Sequence, residues 1–181
     1  RDELHSRGRA AADAMAMARI LEAKGIQTRV FCESADNVSV QTWPADQLPD
    51  FAGGADDLVT YHFSISCPRA LEILKRCKGF RVVKYHNVTP AEFFRDYCSE
   101  LEAACEGGRA ELPAIVDLGC ELYLGDSTYN IDELRALGVP RDRSGVLAPF
   151  HRVEEMVEAE ADLELLRALS DGARNFLMVG R

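Results

Sequence analysis

Asp57-Leu-Val-Thr-Tyr-His62 and Arg81-Val-Val-Lys-Tyr-His-Asn-Val-Thr-Pro90 decide the fold class of this chain. Each is a short run of β-branched and aromatic residues that ends in Tyr-His and breaks into polar loop residues. Between them, Pro68 stands where the first turn of a helix tolerates proline, and Gly79 stands where that helix stops. Strand, helix and strand at this spacing form a βαβ unit, which predicts parallel pairing. In an open parallel sheet, ligands bind outside the carboxyl ends of the strands. Imidazoles delivered to that edge exchange hydrogen bonds near neutral pH. The pair His62 and His86 therefore marks a candidate site for handling a sugar or a phosphate.

The alternation continues in both directions. Residues 9–24 place Ala11, Met15, Ala18 and Leu21 on one helical face and close on Lys24-Gly25, and Gln27–Cys32 follows as a strand. The strand that should precede this helix is missing or lies in the short leader. Residues 33–56 are rich in Asp, Pro and Gly and read as a long connection with one short strand at Val38–Thr42. Pro90–Leu118 reads as helical, with Phe93, Phe94, Tyr97, Leu101, Ala104 and Cys105 as an apolar stripe and Gly107-Gly108 as a place for it to break. Glu121–Leu124 is a strand, and Asn130-Ile-Asp-Glu133 fits a capping box. The helix it opens is stopped by Gly138 and Pro140. Gly145–Leu147 reads as a strand, 152–170 as acidic helix and Asn175–Val179 as a last strand. The predicted class is α/β, a Rossmann-like parallel sheet with helices on both faces.

Bulk properties narrow the function. The chain has 181 residues and a formal charge of -9, with 21 Lys+Arg against 30 Asp+Glu. A nucleic-acid surface needs a basic stripe, so no nucleic-acid partner is expected. The one basic run, Lys75, Arg76, Lys78, Arg81 and Lys84, reads as a solvated helix end and loop, with peripheral membrane contact as the minority reading. No apolar run reaches membrane-spanning length. The start, Arg1-Asp2-Glu3-Leu4-His5, carries neither a signal-peptide core nor an initiator Met, and reads as trimmed. Cys32, Cys67, Cys77, Cys98, Cys105 and Cys120 form no C-x-x-C pair, so no metal ligation is expected of them. They fit reduced thiols in a cytoplasm. No G-x-G-x-x-G after a strand and no P-loop is present, and no cofactor is predicted.

His62, the Tyr85-His86-Asn87-Val88-Thr89-Pro90 turn, Glu92-Phe93-Phe94, Leu124-Gly125-Asp126-Ser127 with Asn130 and Glu133-Leu134, and Phe176-Leu-Met-Val-Gly-Arg181 occur in that order. As an ordered set they resemble the amino-terminal half of group 1 (family 4) retaining glycosyltransferases of the two-domain GT-B type. The resemblance covers nearly the whole chain. It implies a Rossmann-like acceptor-side domain over 1–174 and, at 175–181, the start of a second domain that binds the nucleotide-sugar. It also implies a nucleotide-sugar donor held by that second domain, a saccharide or other hydroxyl acceptor, retention at the anomeric carbon and no obligatory metal. This fragment alone is then expected to be inactive. Arg7-Gly8-Arg9 corresponds to a glycine-containing loop of the family. Ala148-Pro149-Phe150-His151-Arg152 replaces its Asn-Gly-Val-Asp-like turn.

Candidate residues divide by chemistry. The resemblance gives His86 a contact with the transferred sugar, and its place just past a strand end agrees with a loop position rather than a core one. His62 reads equally as a liner of the acceptor pocket or as a backbone hydrogen-bonding group at a strand end. Asn87 and Thr89 are candidate acceptor contacts, with capping of the helix near Pro90 as the competing reading. Asp126 follows a strand and faces the cleft. Ser127 invites a hydrolase reading, but the G-x-S-x-G elbow is absent and helix capping explains it more simply. A non-catalytic α/β carbohydrate- or nucleotide-binding module is the alternative to the transferase.

Overall fold

The computed structural model describes residues 9–33, 41–150, 160–174 and 176. The chain divides into two compact units, Arg1–Phe150 and His151–Arg181. The first unit opens with helix α1 (Arg9–Ala23), strand β1 (Val30–Cys32) and strand β2 (Thr42–Pro44), followed by a short helix α2 (Leu48–Phe51). Then come β3 (Leu58–Phe63), α3 (Pro68–Arg76), β4 (Phe80–Tyr85), α4 (Ser99–Asp117), β5 (Leu122–Gly125), α5 (Thr128–Ala136) and β6 (Ser144–Val146). In the second unit the described helix is α6 (Leu163–Leu169), capped by Asp162, whose carboxylate accepts from the amides of Glu164 and Leu165. The expected strand at Asn175–Val179 and the second-domain start at 175–181 lie outside the described residues apart from Phe176.

The fold is α/β. Four parallel strands in the order β3-β4-β5-β6 form the main sheet, flanked by helices, and β1 and β2 pair parallel in a sheet of their own. Consecutive parallel neighbours need a crossover between them, and α3, α4 and α5 supply it. The two sheets are separated by a cavity of about 570 Å³, lined by Val30 and Phe31 of β1, Val59 and Tyr61 of β3, and Met17 and Leu21 of α1. The residues that precede α1, where the strand expected ahead of that helix would fall, lie outside the described ones.

Strand alternation divides β3, β4 and β5 into two faces. Phe63, Val83, Tyr85 and Tyr123 point to one of them and join Leu112, Ile115, Ile131 and Leu134 of α4 and α5 in the main core. Ile115, Ile131 and Leu134 are fully buried, and each contributes about 1.5–3 kcal/mol of hydrophobic stabilisation. Gly79 sets the start of β4: a Cβ there would lie 2.1 Å from the carbonyl oxygen of Asp57, so only glycine lets β4 come in beside β3.

Two local readings change. The stripe expected over Pro90–Leu118 is split by a 3-10 turn at Ala91–Phe93 and a non-helical stretch, so that Phe93 and Tyr97 are exposed. Gly107-Gly108 does not break α4. Gly108 is buried inside it, and a Cβ there would crowd the Ser66 amide and Val88, so the missing side chain allows close approach. Of the two residues suited to cap α5, Ser127 rather than Asn130 does so, as its capping reading expects, and the helix starts at Thr128.

Candidate functional site

The opposite face of the same strands carries His62, Lys84, His86 and Asp126. Lys84 pairs in register with His62 on β3, and His86 lies two residues beyond Lys84, so alternation sends all three side chains the same way. The ladder runs one residue past each strand: the His86 amide donates to the Phe63 carbonyl at 2.9 Å and the Asp126 amide to the Tyr85 carbonyl at 3.3 Å. Those bonds fix the heights at which His86 and Asp126 leave the sheet. Asp13 of α1 comes down onto this row from above.

The result is a buried polar cluster drawn from α1, β3, β4 and the turn after β5. Lys84 is fully buried and donates to Asp13 Oδ2, with Asp126 Oδ1 3.7 Å away. The amide of Phe150 donates to Asp13 Oδ1 at 2.6 Å, and the phenyl ring of Phe150 lies 5.4 Å from the Lys84 ammonium, within cation–π range. His86 Nδ1 lies 3.0 Å from Asp126 Oδ2, and His86 Nε2 lies 2.9 Å from His62 Nδ1. A carboxylate only accepts, so His86 Nδ1 donates to Asp126. Neutral His86 then accepts at Nε2, and His62 Nδ1 carries the hydrogen between the rings. Asp126 Oδ1 is the one buried side-chain oxygen or nitrogen among the described residues without a hydrogen-bond partner.

Both imidazoles are held neutral. Burial, with help from the neighbouring His86 and Lys84 and against the opposing pull of Asp13, brings His62 down to about 3. Burial also lowers His86, against the raising pull of Asp126 and Asp13. Asp13, His62 and His86 present ligand atoms that all lie within 4.8 Å of one another, which makes them candidate metal ligands.

A second network sits beneath the Tyr-His-Asn-Val-Thr-Pro turn. Tyr85 Oη donates to Glu133 Oε2 at 3.0 Å and accepts from the Val88 amide at 3.2 Å. Arg109 binds Glu133 Oε1 at 2.8 Å and the Val88 carbonyl at 2.7 Å. Asn87 at the apex adopts φ 68°, a left-handed conformation that asparagine tolerates better than most residues.

The predicted residues therefore separate. His62, His86 and Asp126 come together. His86 is shut from solvent, its side chain 1% exposed and both nitrogens engaged, so a direct contact with a sugar requires its bond to His62 to open. The His62 side chain is 12% exposed and the residue lines the cavity. Asn87 is half-buried and Thr89 exposed, and neither caps the 3-10 turn after Pro90. Ser127 does cap α5, donating to Asn130 Oδ1 at 2.7 Å and accepting from the Asn130 amide at 3.4 Å. Lys84 is buried, so the basic run is solvated at Lys75, Arg76 and Lys78 but not at its last member. Asp13, Lys84 and Phe150 are the cluster residues that sequence reasoning did not single out for the site. A lysine set between Val82-Val83 and Tyr85 in a predicted central strand was the available signal, since a central parallel strand is buried on both faces.

All six cysteines are free thiols, and no helix among the described residues is long and apolar enough to cross a membrane. Compared with known proteins, the chain matches no family model, no curated protein and no solved structure.

Proposed function

We propose that this chain is the acceptor-side half of a retaining glycosyltransferase, an enzyme that moves a sugar from a nucleotide-sugar to a hydroxyl acceptor. The observation that carries the reading is the convergence of His62, His86 and Asp126 at the carboxyl ends of three adjacent parallel strands, where such sheets bind ligands. The segments that leave this edge add exposed aromatic rings, Phe93 and Tyr97 after β4 and Tyr129 in the first turn of α5. Such rings, apolar in the face and polar at the tyrosine hydroxyl, suit the mixed surface of a saccharide. The Tyr85–Glu133–Arg109 network holds the turn between them in one conformation.

In this reading the chain orients the acceptor, and much of the rate gain comes from proximity and from stabilising the departing diphosphate. Helix N-termini and basic residues of a second domain hold that diphosphate. Within this chain His86, held by Asp126, positions His62, and Thr89 stands exposed at the rim of the edge. The alternative, a binding module without catalysis, predicts saccharide binding by the chain alone and no partner domain.

The coding sequence beyond Arg181 separates the two readings. A second α/β domain of roughly 100–150 residues with the family's paired-glutamate motif is expected, and the two-domain protein should transfer sugar with retention where this chain alone does not. A stop codon directly after Arg181, or robust turnover by the present chain, overturns the proposal.

A further inference from the structure

We infer that Asp13 Oδ2, His62 Nδ1 and His86 Nε2 form a binding site for one divalent transition-metal ion of the zinc type. The inference goes beyond the glycosyltransferase reading and does not depend on it. The three atoms make a triangle with sides of 2.9, 3.6 and 3.7 Å. The point equidistant from them lies about 2.0 Å from each, the length of a Zn–N or Zn–O bond. The two longer sides exceed hydrogen-bond length, so Asp13, held by the Lys84 ammonium and the Phe150 amide, approaches both rings without bonding to either. Around one tetrahedral ion, bonds of ~2.0 Å place neighbouring ligand atoms roughly 3.3 Å apart, so binding requires each side of the triangle to change by no more than about 0.4 Å.

The surroundings fit an ion as well. A metal-bound histidine nearly always donates its other ring N–H to a carboxylate or carbonyl, which orients the ring. His86 does this through Nδ1 to Asp126 Oδ2 at 3.0 Å. His62 needs only to move its hydrogen from Nδ1 to Nε2 to become a ligand, with no proton lost. Among the described residues Asp126 Oδ1, 3.7 Å from the Lys84 ammonium, is the buried side-chain oxygen without a hydrogen-bond partner, and a cation in the cluster would favour that unsatisfied atom. Lys84 opposes the ion by its own charge, so affinity falls below that of a closed structural zinc site. Two imidazoles and one carboxylate suit zinc and its first-row neighbours rather than magnesium or calcium, which prefer all-oxygen shells. His62 also lines the 570 Å³ cavity, which gives an ion a path to the cluster.

The test is zinc binding by the chelator-stripped chain, titrated with zinc alone against a chromophoric chelator. One ion per chain is expected. His62→Ala should weaken binding at least about 100-fold, and Asp126→Asn about 10–100-fold, the usual range for a ligand-orienting carboxylate. The competing ligands are the six free thiols, so cobalt is the second probe. Its spectrum should lack the intense near-ultraviolet thiolate band. X-ray absorption on the zinc-loaded wild-type chain should show imidazole and oxygen neighbours and no sulfur, a result that needs no variant to fold. Failure of the chain to bind zinc stoichiometrically, affinity unchanged in His62→Ala, or sulfur in the coordination shell would each overturn the site. None of these readouts involves sugar transfer, so the metal site and the transferase reading fail separately.

Discussion

The imidazoles of His62 and His86 stack with their centroids 5.1 Å apart and their planes within 16°, and a single hydrogen joins them across 2.9 Å. Neither ring takes a second proton without placing a buried charge beside Lys84. The consequence for stability has a definite sign. His62 has its folded-state value lowered from 6.5 to about 3, and His86 is lowered as well. Above pH 6.5 both rings are neutral in folded and unfolded chain alike, and they add no pH dependence. Below it the unfolded chain binds protons that the folded chain refuses, so stability falls on acidification by up to about 1.4 kcal/mol per pH unit for each ring. For His62 the loss levels off near pH 3. Chemical denaturation of the chelator-treated chain between pH 7.5 and pH 4.5, on the order of three units, should show the decline, and His62→Gln should reduce its slope. A stability profile flat from pH 6.5 to 5 in the wild type would contradict the assignment.

Lys84 neutralises part of that cluster from a fully buried position. Its removal leaves Asp13 and Asp126 buried without their ammonium, so Lys84→Met should cost about 3–5 kcal/mol, the usual loss on breaking a buried ion pair. Adding Asp13→Leu removes one stranded carboxylate. The double variant should recover part of the loss, though not all, because the Phe150 amide then loses its acceptor. A double-mutant cycle in urea measures both quantities. A cost below about 1 kcal/mol for Lys84→Met, typical of exposed pairs, would show that the ammonium is not desolvated in solution.

Why the main sheet was legible in sequence and this cluster was not follows from range. Strands β3 and β4 announce themselves by continuous β-branched runs, and Phe80–Tyr85 is found where the sequence reading puts it. Pro68, Gly79 and Ser127 mark element ends by local backbone chemistry, which is also readable over a few residues. Asp13 and Lys84 lie 71 residues apart, and Asp13 and Phe150 lie 137 apart. No periodicity joins them. His62, His86 and Asp126 were readable because each follows or ends a strand, so topology alone delivers them to one edge. Phe93 and Tyr97 misled in the opposite sense: their spacing suits a helical stripe, yet the chain leaves the sheet through a 3-10 turn and holds both rings out.

The turn between β4 and α4 depends on one hydroxyl. Tyr85 Oη satisfies the buried Val88 amide and one oxygen of Glu133 together. Tyr85→Phe keeps the packing and strands both partners, so a loss of about 1–3 kcal/mol is expected, the cost of a buried unsatisfied group. Burial raises the Tyr85 hydroxyl well above its ordinary range, so it remains a donor across the accessible pH range. Amide exchange at Val88 is the direct readout: in Tyr85→Phe it should accelerate more than exchange at Ile115, which lies in the core away from the turn. Equal acceleration at both positions would mean that the hydroxyl contributes only to global stability.

Ser127 provides the sharpest separation between a structural and a chemical role at the carboxyl edge. Its hydroxyl caps α5 by accepting from the Asn130 amide and donating to Asn130 Oδ1. Among the described residues no imidazole is hydrogen-bonded to it, since both nitrogens of His86 are committed to Asp126 and His62. A serine without a base within reach is not an activated nucleophile. Ser127→Ala should therefore cost about 1 kcal/mol through loss of the cap, while Ser127→Asp should restore most of it, because aspartate caps as well as serine and favours a helix N-terminus. If Ser127 acted as a hydrolytic nucleophile, both variants would abolish activity on an ester substrate, and restored stability in Ser127→Asp would not bring it back. Thermal melts of the two variants beside an esterase assay of the wild type decide between these roles. Wild-type ester turnover lost in both variants would overturn the capping assignment as the whole account of Ser127.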